Sequence, residues 1–377
     1  LICVARHFAS GQWIRVTTEG QAIAAVEPAD GPESISPEDD WVAPAFWDIQ
    51  VNGRLGVSFS SPDLTEEQVA EVALAQRTEG VARFCPTLIT APQAAMLHGV
   101  RTIARSCDRF PEVAAMVLGI HLEGPAISEL DGYRGAHPLE AVRNPDWSEF
   151  EELQEASGAR IRLVTLAPER EGALEFIARA AAMGVRIALG HTAADPETIR
   201  AAVAAGASLS THLGNGIAAS LPRHPNPIWT QAADDRLMAS LIADGHHLPT
   251  EVLRVLVRAK TPERVVLVSD ASPLAGLGPG VYGAWEVTAD GKVVVAGTPY
   301  LAGSSRGIGF GVATLIREAG LTVPQALATA SINPARLLGL PEPGLAVGQP
   351  ANLIRFQAQP SFRVDVTCVD GTWIAAS

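Results

Sequence analysis

Four residues far apart in the chain offer chemistry: Glu123, His191, His212 and Asp270. Each stands at the end of an apolar run, in Gly119-Ile120-His121-Leu122-Glu123-Gly124-Pro125, Leu189-Gly190-His191-Thr192, Ser210-Thr211-His212-Leu213 and Val268-Ser269-Asp270-Ala271. Gly124-Pro125 stops a strand, so Glu123 sits where a buried strand opens into a loop. A lone buried carboxylate there costs several kcal/mol or protonates. Taken singly, such a Glu is better explained as a helix cap or half of a salt bridge. Three more polar residues at corresponding strand ends make it one of a set. Two imidazoles and one carboxylate suit one divalent ion, zinc first, with iron or another divalent ion as the alternatives. Three protein ligands also leave a position open for water, whose pKa zinc lowers to about 7. Asp270 is then the base that accepts the proton and later delivers it to a leaving group.

For these residues to meet, successive strand ends must lie side by side. Strands are expected at Val42–Ile49, Val81–Leu88, Ala115–Leu122, Ile161–Leu166, Val185–Leu189, Ser208–His212, Met238–Ala243 and Val265–Ser269. Apolar character from Val113 to Ile120 extends the third of these. Helical patterns fall between them at Thr65–Glu79, Gly172–Met183, Pro196–Ala205 and Thr250–Arg258. Asp195-Pro196-Glu197 supplies a cap and a first-position proline, and Glu66-Glu67 puts acids in a first turn. Eight strand–helix units in about 230 residues have the size of a (β/α)8 barrel, whose active sites lie at the C-terminal strand ends. A doubly wound sheet is the structural alternative.

The ends of the chain read differently. Leu1–Arg6, Trp13–Thr17, Ala22–Glu27, Ala351–Phe356 and Arg363–Ile374, the last turning at Asp370-Gly371, are strand-like. They predict a small β-sandwich domain from residues 1–43 and 351–377, with 44–350 as the barrel. Pro279–Tyr300 reads as an inserted hairpin around Asp290-Gly291.

Composition excludes several functions. No run of about 18 uncharged apolar residues occurs, so no membrane span is expected, and residues 1–12 lack the pattern of a signal peptide. The formal net charge of −13 argues against nucleic acid or anionic membrane as a partner. The four cysteines, Cys3, Cys85, Cys107 and Cys368, are scattered, which excludes a zinc ribbon and points to a reduced, cytoplasmic setting.

The order and spacing of short motifs then carry a resemblance. They run from Pro44-Ala45-Phe46-Trp47-Asp48-Ile49-Gln50-Val51-Asn52-Gly53 through His121-Leu122-Glu123-Gly124-Pro125, Gly135-Ala136-His137, Gly190-His191-Thr192 and Thr211-His212-Leu213-Gly214-Asn215. Asp244-Gly245-His246-His247, Ser269-Asp270-Ala271, Leu301-Ala302-Gly303-Ser304 and Asn333-Pro334-Ala335-Arg336 follow. The chain resembles the N-acetylglucosamine-6-phosphate deacetylases of the amidohydrolase superfamily. That resemblance implies a metal-centred barrel with a small β domain. It implies hydrolysis of the N-acetyl amide of a small amino-sugar substrate, N-acetylglucosamine 6-phosphate, to glucosamine 6-phosphate and acetate. Glu123, His191 and His212 would bind the metal, Asp270 would be the acid/base, and His137 would polarise the substrate carbonyl and contact the sugar. Ala136, Asn215, the backbone at Gly216, Arg223 and His247 would contact substrate, the last four at the sugar phosphate. The arginine reaches across a dimer interface in some members, which implies a homodimer.

Several departures separate the chain from the pattern. Gln50-Val51-Asn52 replaces the His-x-His of many amidohydrolases, so one metal is expected, not two. Gly214 replaces a phenylalanine, which removes an aromatic wall. Arg223-His224-Pro225-Asn226 alters the turn after the arginine, which could instead pair with Asp234 or Asp235. Ser305-Arg306 stands where an apolar residue is usual. The alternative activities are deacylation of an unphosphorylated or differently acylated amino sugar, or of another cyclic amide. A non-catalytic scaffold on the same fold conflicts with the intact ligand set. His121, on the strand of Glu123, reads as packed within the barrel.

Overall fold

Short, mostly buried runs become eight strands: Phe46–Val51, Val81–Ile89, Ile120–Glu123, Ile161–Leu166, Arg186–Leu189, Ala207–Ser210, Met238–Ile242 and Val265–Val268. The computed structural model that shows this describes residues 1–376 except 33, 35, 37, 38 and 360. The strands form one parallel sheet in sequence order. Val51 bridges Ala271 in parallel and the Asn52 amide donates to the Ala271 carbonyl at 2.9 Å, which joins the last strand to the first and closes the barrel.

Local signals set the intervening helices. Thr65 and Gln68 form a reciprocal capping box at Glu66–Arg77, and Asp195 caps Pro196–Ala205 with Pro196 in the first turn. Strand residues alternate between two faces. Ile49, Cys85, Leu163, Ala188, Leu209, Ile242, Val266 and Val268 therefore form one buried cluster inside the barrel, with Leu337 and Leu338 packed against it. A larger cluster, including Phe46, Leu88, Ile187 and Leu241, lies between strands and helices. Asn333 ties the segment carrying those leucines to the start of the last strand, donating to the carbonyls of Val265 at 2.7 Å and Pro262 at 2.8 Å. The opposite, C-terminal strand ends are left to carry chemistry.

The two termini meet in one seven-stranded sheet. Its order is Thr372–Ala375, Arg363–Val369, Leu353–Gln357, Asp40–Pro44, Ile2–His7, Trp13–Glu19 and Ala22–Pro28. Val42–Ile49, expected as one strand, is therefore two. Asp40–Pro44 pairs with Leu353–Gln357, and the barrel begins at Phe46. Pro44, which has no N–H to extend a ladder, marks the change.

The apolar run from Val113 is also not a strand. Pro111 occupies the first turn of a helix, Pro111–Met116, and the strand begins only at Ile120. A first-position proline and the helix formers Ala114, Ala115 and Met116 outweigh apolar character, which does not distinguish a buried strand from a buried helix.

The insertion has three antiparallel strands, Gly280–Tyr282, Trp285–Val287 and Val293–Val295, with Asp290-Gly291 turning between the last two. No helix among the described residues is long and apolar enough to cross a membrane.

Candidate active site

Glu123 is the last residue of its strand, while His191, His212 and Asp270 each lie two residues beyond theirs. Those three have positive φ, at 50°, 29° and 50°. An L-residue in this region costs roughly 1–2 kcal/mol, and the barrel holds all three there, turned toward one point. Glu123 Oε1 lies 3.2 Å from His191 Nε2 and 2.9 Å from His212 Nε2. The three ligand atoms fall within 4.8 Å of one another, and all three residues are buried.

The donor set fits a cation on its own chemistry. His191 Nδ1 is 2.9 Å from the Tyr133 carbonyl, which only accepts, so a neutral ring carries its proton there. Its Nε2 is then a bare lone pair facing a carboxylate, an arrangement that needs a proton or a metal ion between them. Burial pushes the Glu123 carboxyl up, but the neighbouring His191 and His212 rings outweigh it and hold the group well below the usual range. Burial likewise disfavours a charged His212, and Glu123 overcomes it and raises that ring. Two imidazole nitrogens and a carboxylate oxygen are a zinc-type set. Glycine closes over it: a Cβ on Gly216, where φ is +59°, would lie 2.8 Å from His191 Nδ1.

Gln50 and Asn52 act on this centre as donors. Gln50 Nε2 is 3.1 Å from both Glu123 Oε1 and Asp270 Oδ1, and Asn52 Nδ2 is 2.7 Å from the same Asp270 oxygen. The positions that hold His-x-His elsewhere here hold two carboxylates in place. Burial, helped by the charge of Glu123, pushes Asp270 up to about 6, against the pull of His212, His247 and the Asn52 hydrogen bond. A carboxyl near that value suits proton exchange near neutrality. Deeper in the barrel, burial pushes Asp48 up to about 7, although its Oδ1 accepts from the backbone of Ser269 and Gln50. His121 is packed there as expected, with Nε2 2.8 Å from Thr165 Oγ1, and burial lowers it to about 4.

A cleft of about 410 Å³ opens over these groups. Ala136, His137, Asn215, Gly216 and His247 all line it, so the barrel brings most of the expected substrate contacts together. The His137 ring centroid is 4.4 Å from that of His191, and its Nδ1 is 2.9 Å from Thr90 Oγ1. Burial, then the nearby His191, lowers His137 to about 3. His247 Nδ1 is 2.8 Å from Asp244 Oδ2, and Asp244 Oδ1 accepts the amides of His246 and His247. Burial acts upward on Asp244, but these contacts prevail and keep it ionised.

Arg223 stands apart. It is exposed, does not line the cleft, and has no hydrogen bond or ion pair among the described residues. Its expected alternatives are taken: Asp234 pairs with Arg236 and Asp235 with Arg264. Asn226, in the altered turn, caps Pro227–Ala233 through its side-chain oxygen. Gly214 does not remove a cleft wall, because a Cβ there would point at Leu248, 3.0 Å away, and Leu256. Aromatic surface comes instead from Trp285 and Tyr300 of the insertion. Thr90, Asp244, Trp285 and Tyr300 were not anticipated. Only Asp244 carried a signal, as an acid three residues before His247.

A closed barrel with a buried Glu-His-His set beside a carboxyl poised for proton transfer is the site of a metal-dependent hydrolase. Residues 41–374 match the Amidohydrolase family, and the chain belongs to that family. It is 36% identical over 324 residues to N-acetylgalactosamine-6-phosphate deacetylase of Escherichia coli O157:H7, covering 84% of this chain and 83% of that protein. It is 39% identical over 313 residues to N-acetylglucosamine-6-phosphate deacetylase of Homo sapiens, covering 79% and 75%. Among solved structures it is similar to a mutant N-acetyl-D-glucosamine-6-phosphate deacetylase from Mycobacterium smegmatis in complex with N-acetyl-D-glucosamine-6-phosphate. The TM-score is 0.87 at 32% identity, covering 97% of this chain and 95% of that one.

Proposed function

We propose that this chain hydrolyses the N-acetyl amide of N-acetylglucosamine 6-phosphate to glucosamine 6-phosphate and acetate. The observation that carries the reading is the Glu123–His191–His212 cluster beneath a cleft that also receives Asp270 and His137. Glu123, His191 and His212 would hold one divalent ion, with zinc the best match to the donor set. When bound, such an ion supplies Lewis acidity and an acidified water.

The remaining steps belong to the chain. Gln50 and Asn52 both donate to Asp270 Oδ1, which leaves Oδ2 to take the proton from the attacking water. Asp270 then returns that proton to the leaving nitrogen, so that amide and water become carboxylate and amine. His137 donates to the carbonyl oxygen as negative charge grows on it. Asn215, the Gly216 backbone and His247 contact the sugar and its phosphate, with Ala136 against the ring.

A sugar phosphate carries roughly −1.5 to −2 charges at pH 7, and among the described residues no Lys or Arg lines the cleft. The exposed and unpaired Arg223 supports its use by a second chain in a homodimer. Residues 1–43 with 351–377 form the small β domain and 44–350 the catalytic barrel. The four buried, unpaired cysteines support a reduced, cytoplasmic setting.

The similarity to an N-acetylgalactosamine-6-phosphate deacetylase favours one second reading, the C4 epimer. Free-amine release should be followed for N-acetylglucosamine 6-phosphate, its galactosamine epimer and unphosphorylated N-acetylglucosamine. The expected result is a kcat/KM for the first that exceeds the last by roughly 10- to 150-fold. Equal turnover with and without phosphate assigns the enzyme to unphosphorylated or differently acylated amino sugars. Preference for the epimer selects the second reading.

A further inference from the structure

We propose that Thr90 is a positioning residue that fixes the tautomer and orientation of His137, so that its Nε2–H, not a lone pair, faces the cleft. The inference rests on reading His137 as the donor to the substrate carbonyl. Thr90 follows the strand Val81–Ile89 directly and is 1% exposed. Its Oγ1 has two partners: His137 Nδ1 at 2.9 Å and the Glu123 carbonyl at 3.4 Å.

One hydroxyl has one proton, and a neutral imidazole has one ring N–H. If the hydroxyl donated to Glu123, Nδ1 would have to carry the ring proton and Nε2 would be bare. If the hydroxyl donates to Nδ1, the ring proton sits on Nε2. The 2.9 Å contact suits donation in either direction, but the 3.4 Å contact lies at the margin for a hydroxyl donor, so Nδ1 is the better acceptor open to the Thr90 proton. A bare Nε2 would repel a developing oxyanion, whereas an N–H stabilises it.

The surroundings leave the pair little freedom. Arg134 Nη1 holds the His137 carbonyl at 2.8 Å, and His191 meets the ring edge-on. Gly124 packs against the hydroxyl itself, since a Cβ there would lie 2.1 Å from Thr90 Oγ1. Glu123-Gly124 thus supplies a metal ligand and, in the next residue, the space in which the Thr90 hydroxyl stands.

The test compares Thr90→Val, which keeps shape but loses the hydroxyl, with Thr90→Ser, which keeps it. Both are made in zinc-loaded protein, with ¹⁵N spectra of the ring nitrogens and the His137 signals assigned by their loss in His137→Asn. Wild type and Thr90→Ser should show a protonated Nε2 and a bare Nδ1, and Thr90→Val should lose that fixed pattern. Thr90→Val should lower kcat roughly 10- to 100-fold with KM nearly unchanged, and Thr90→Ser should recover most of the loss. A wild-type ring protonated at Nδ1, undiminished kcat in Thr90→Val, or equal damage in Thr90→Ser overturns the proposal. The spectra need no substrate, so a wrong substrate reading leaves that arm decisive.

Discussion

Gln50→Leu removes the one side chain among the described residues that hydrogen-bonds both Glu123 and Asp270. Gln50 is 1% exposed, and its Nε2 lies 3.1 Å from Glu123 Oε1 and from Asp270 Oδ1. A hydrogen bond to a charged group contributes roughly 1.5–3 kcal/mol. Leucine fills a similar volume, so packing changes little and the loss reads the two bonds. Asp270 retains Asn52 at 2.7 Å, which cushions that half. In metal-free protein Glu123 keeps His212 at 2.9 Å but loses its amide donor, and stability to unfolding should fall by about 3 kcal/mol. With a divalent ion in place the cation compensates Glu123, and the loss should fall to about half that. The assay is denaturant unfolding of chelator-treated and metal-loaded samples of both proteins. Removing a donor also raises the pKa of Asp270, which is about 6 before any cation lowers it. Because the base must be ionised, the acid limb of kcat should move to higher pH. A loss in metal-free protein no larger than in loaded protein, with an unmoved acid limb, would refute the clamp.

Four further outcomes are expected. Asp270→Asn should retain its metal but lose at least ~10²-fold in kcat, and near-normal turnover in a metallated sample excludes the acid/base role. Gly216→Ala places a Cβ 2.8 Å from His191 Nδ1 at a φ of +59°. It should weaken metal affinity roughly 10- to 100-fold in chelator competition, and unchanged affinity would show that the loop does not constrain the ligand. Arg223→Ala should cost roughly 10- to 150-fold in kcat/KM for the phosphorylated sugar alone; an equal cost for the plain sugar points elsewhere. Asp48 is raised from 3.8 to about 7 in the fold. Between those values the native chain holds a proton that the unfolded chain has released, so stability falls as pH rises through that window. Asp48→Asn should abolish that slope in denaturant midpoints, and parallel curves for the two proteins argue against a neutral buried Asp48.

Local features were the most legible in the sequence. Helix Pro196–Ala205 has the expected bounds because Asp195 and Pro196 state its start chemically. The four polar strand ends were readable because an apolar run that stops on a metal-competent residue is itself a local pattern. Contact partners across the barrel were not. Gln50 and Asn52 are amides 218–220 residues from Asp270, and only barrel closure reveals them as its donors. The effect of Gly214 was misread because the sense in which its Cβ points depends on a positive φ, at +99°. Trp285 and Tyr300 line the cleft because the insertion folds over the barrel mouth, and no periodicity within it points there. The run from Val113 failed for another reason: apolar character alone does not separate a strand from a short buried helix.

The most direct measurement is a titration of metal-stripped protein with zinc, reading bound metal per chain and deacetylation of N-acetylglucosamine 6-phosphate together. Activity should rise in proportion to bound metal and stop at one ion per chain, and Glu123→Gln, His191→Asn and His212→Asn should each lose both tight binding and turnover. Full activity in metal-free protein, or activity that appears only with a second ion per chain, would contradict a single metal held by Glu123, His191 and His212.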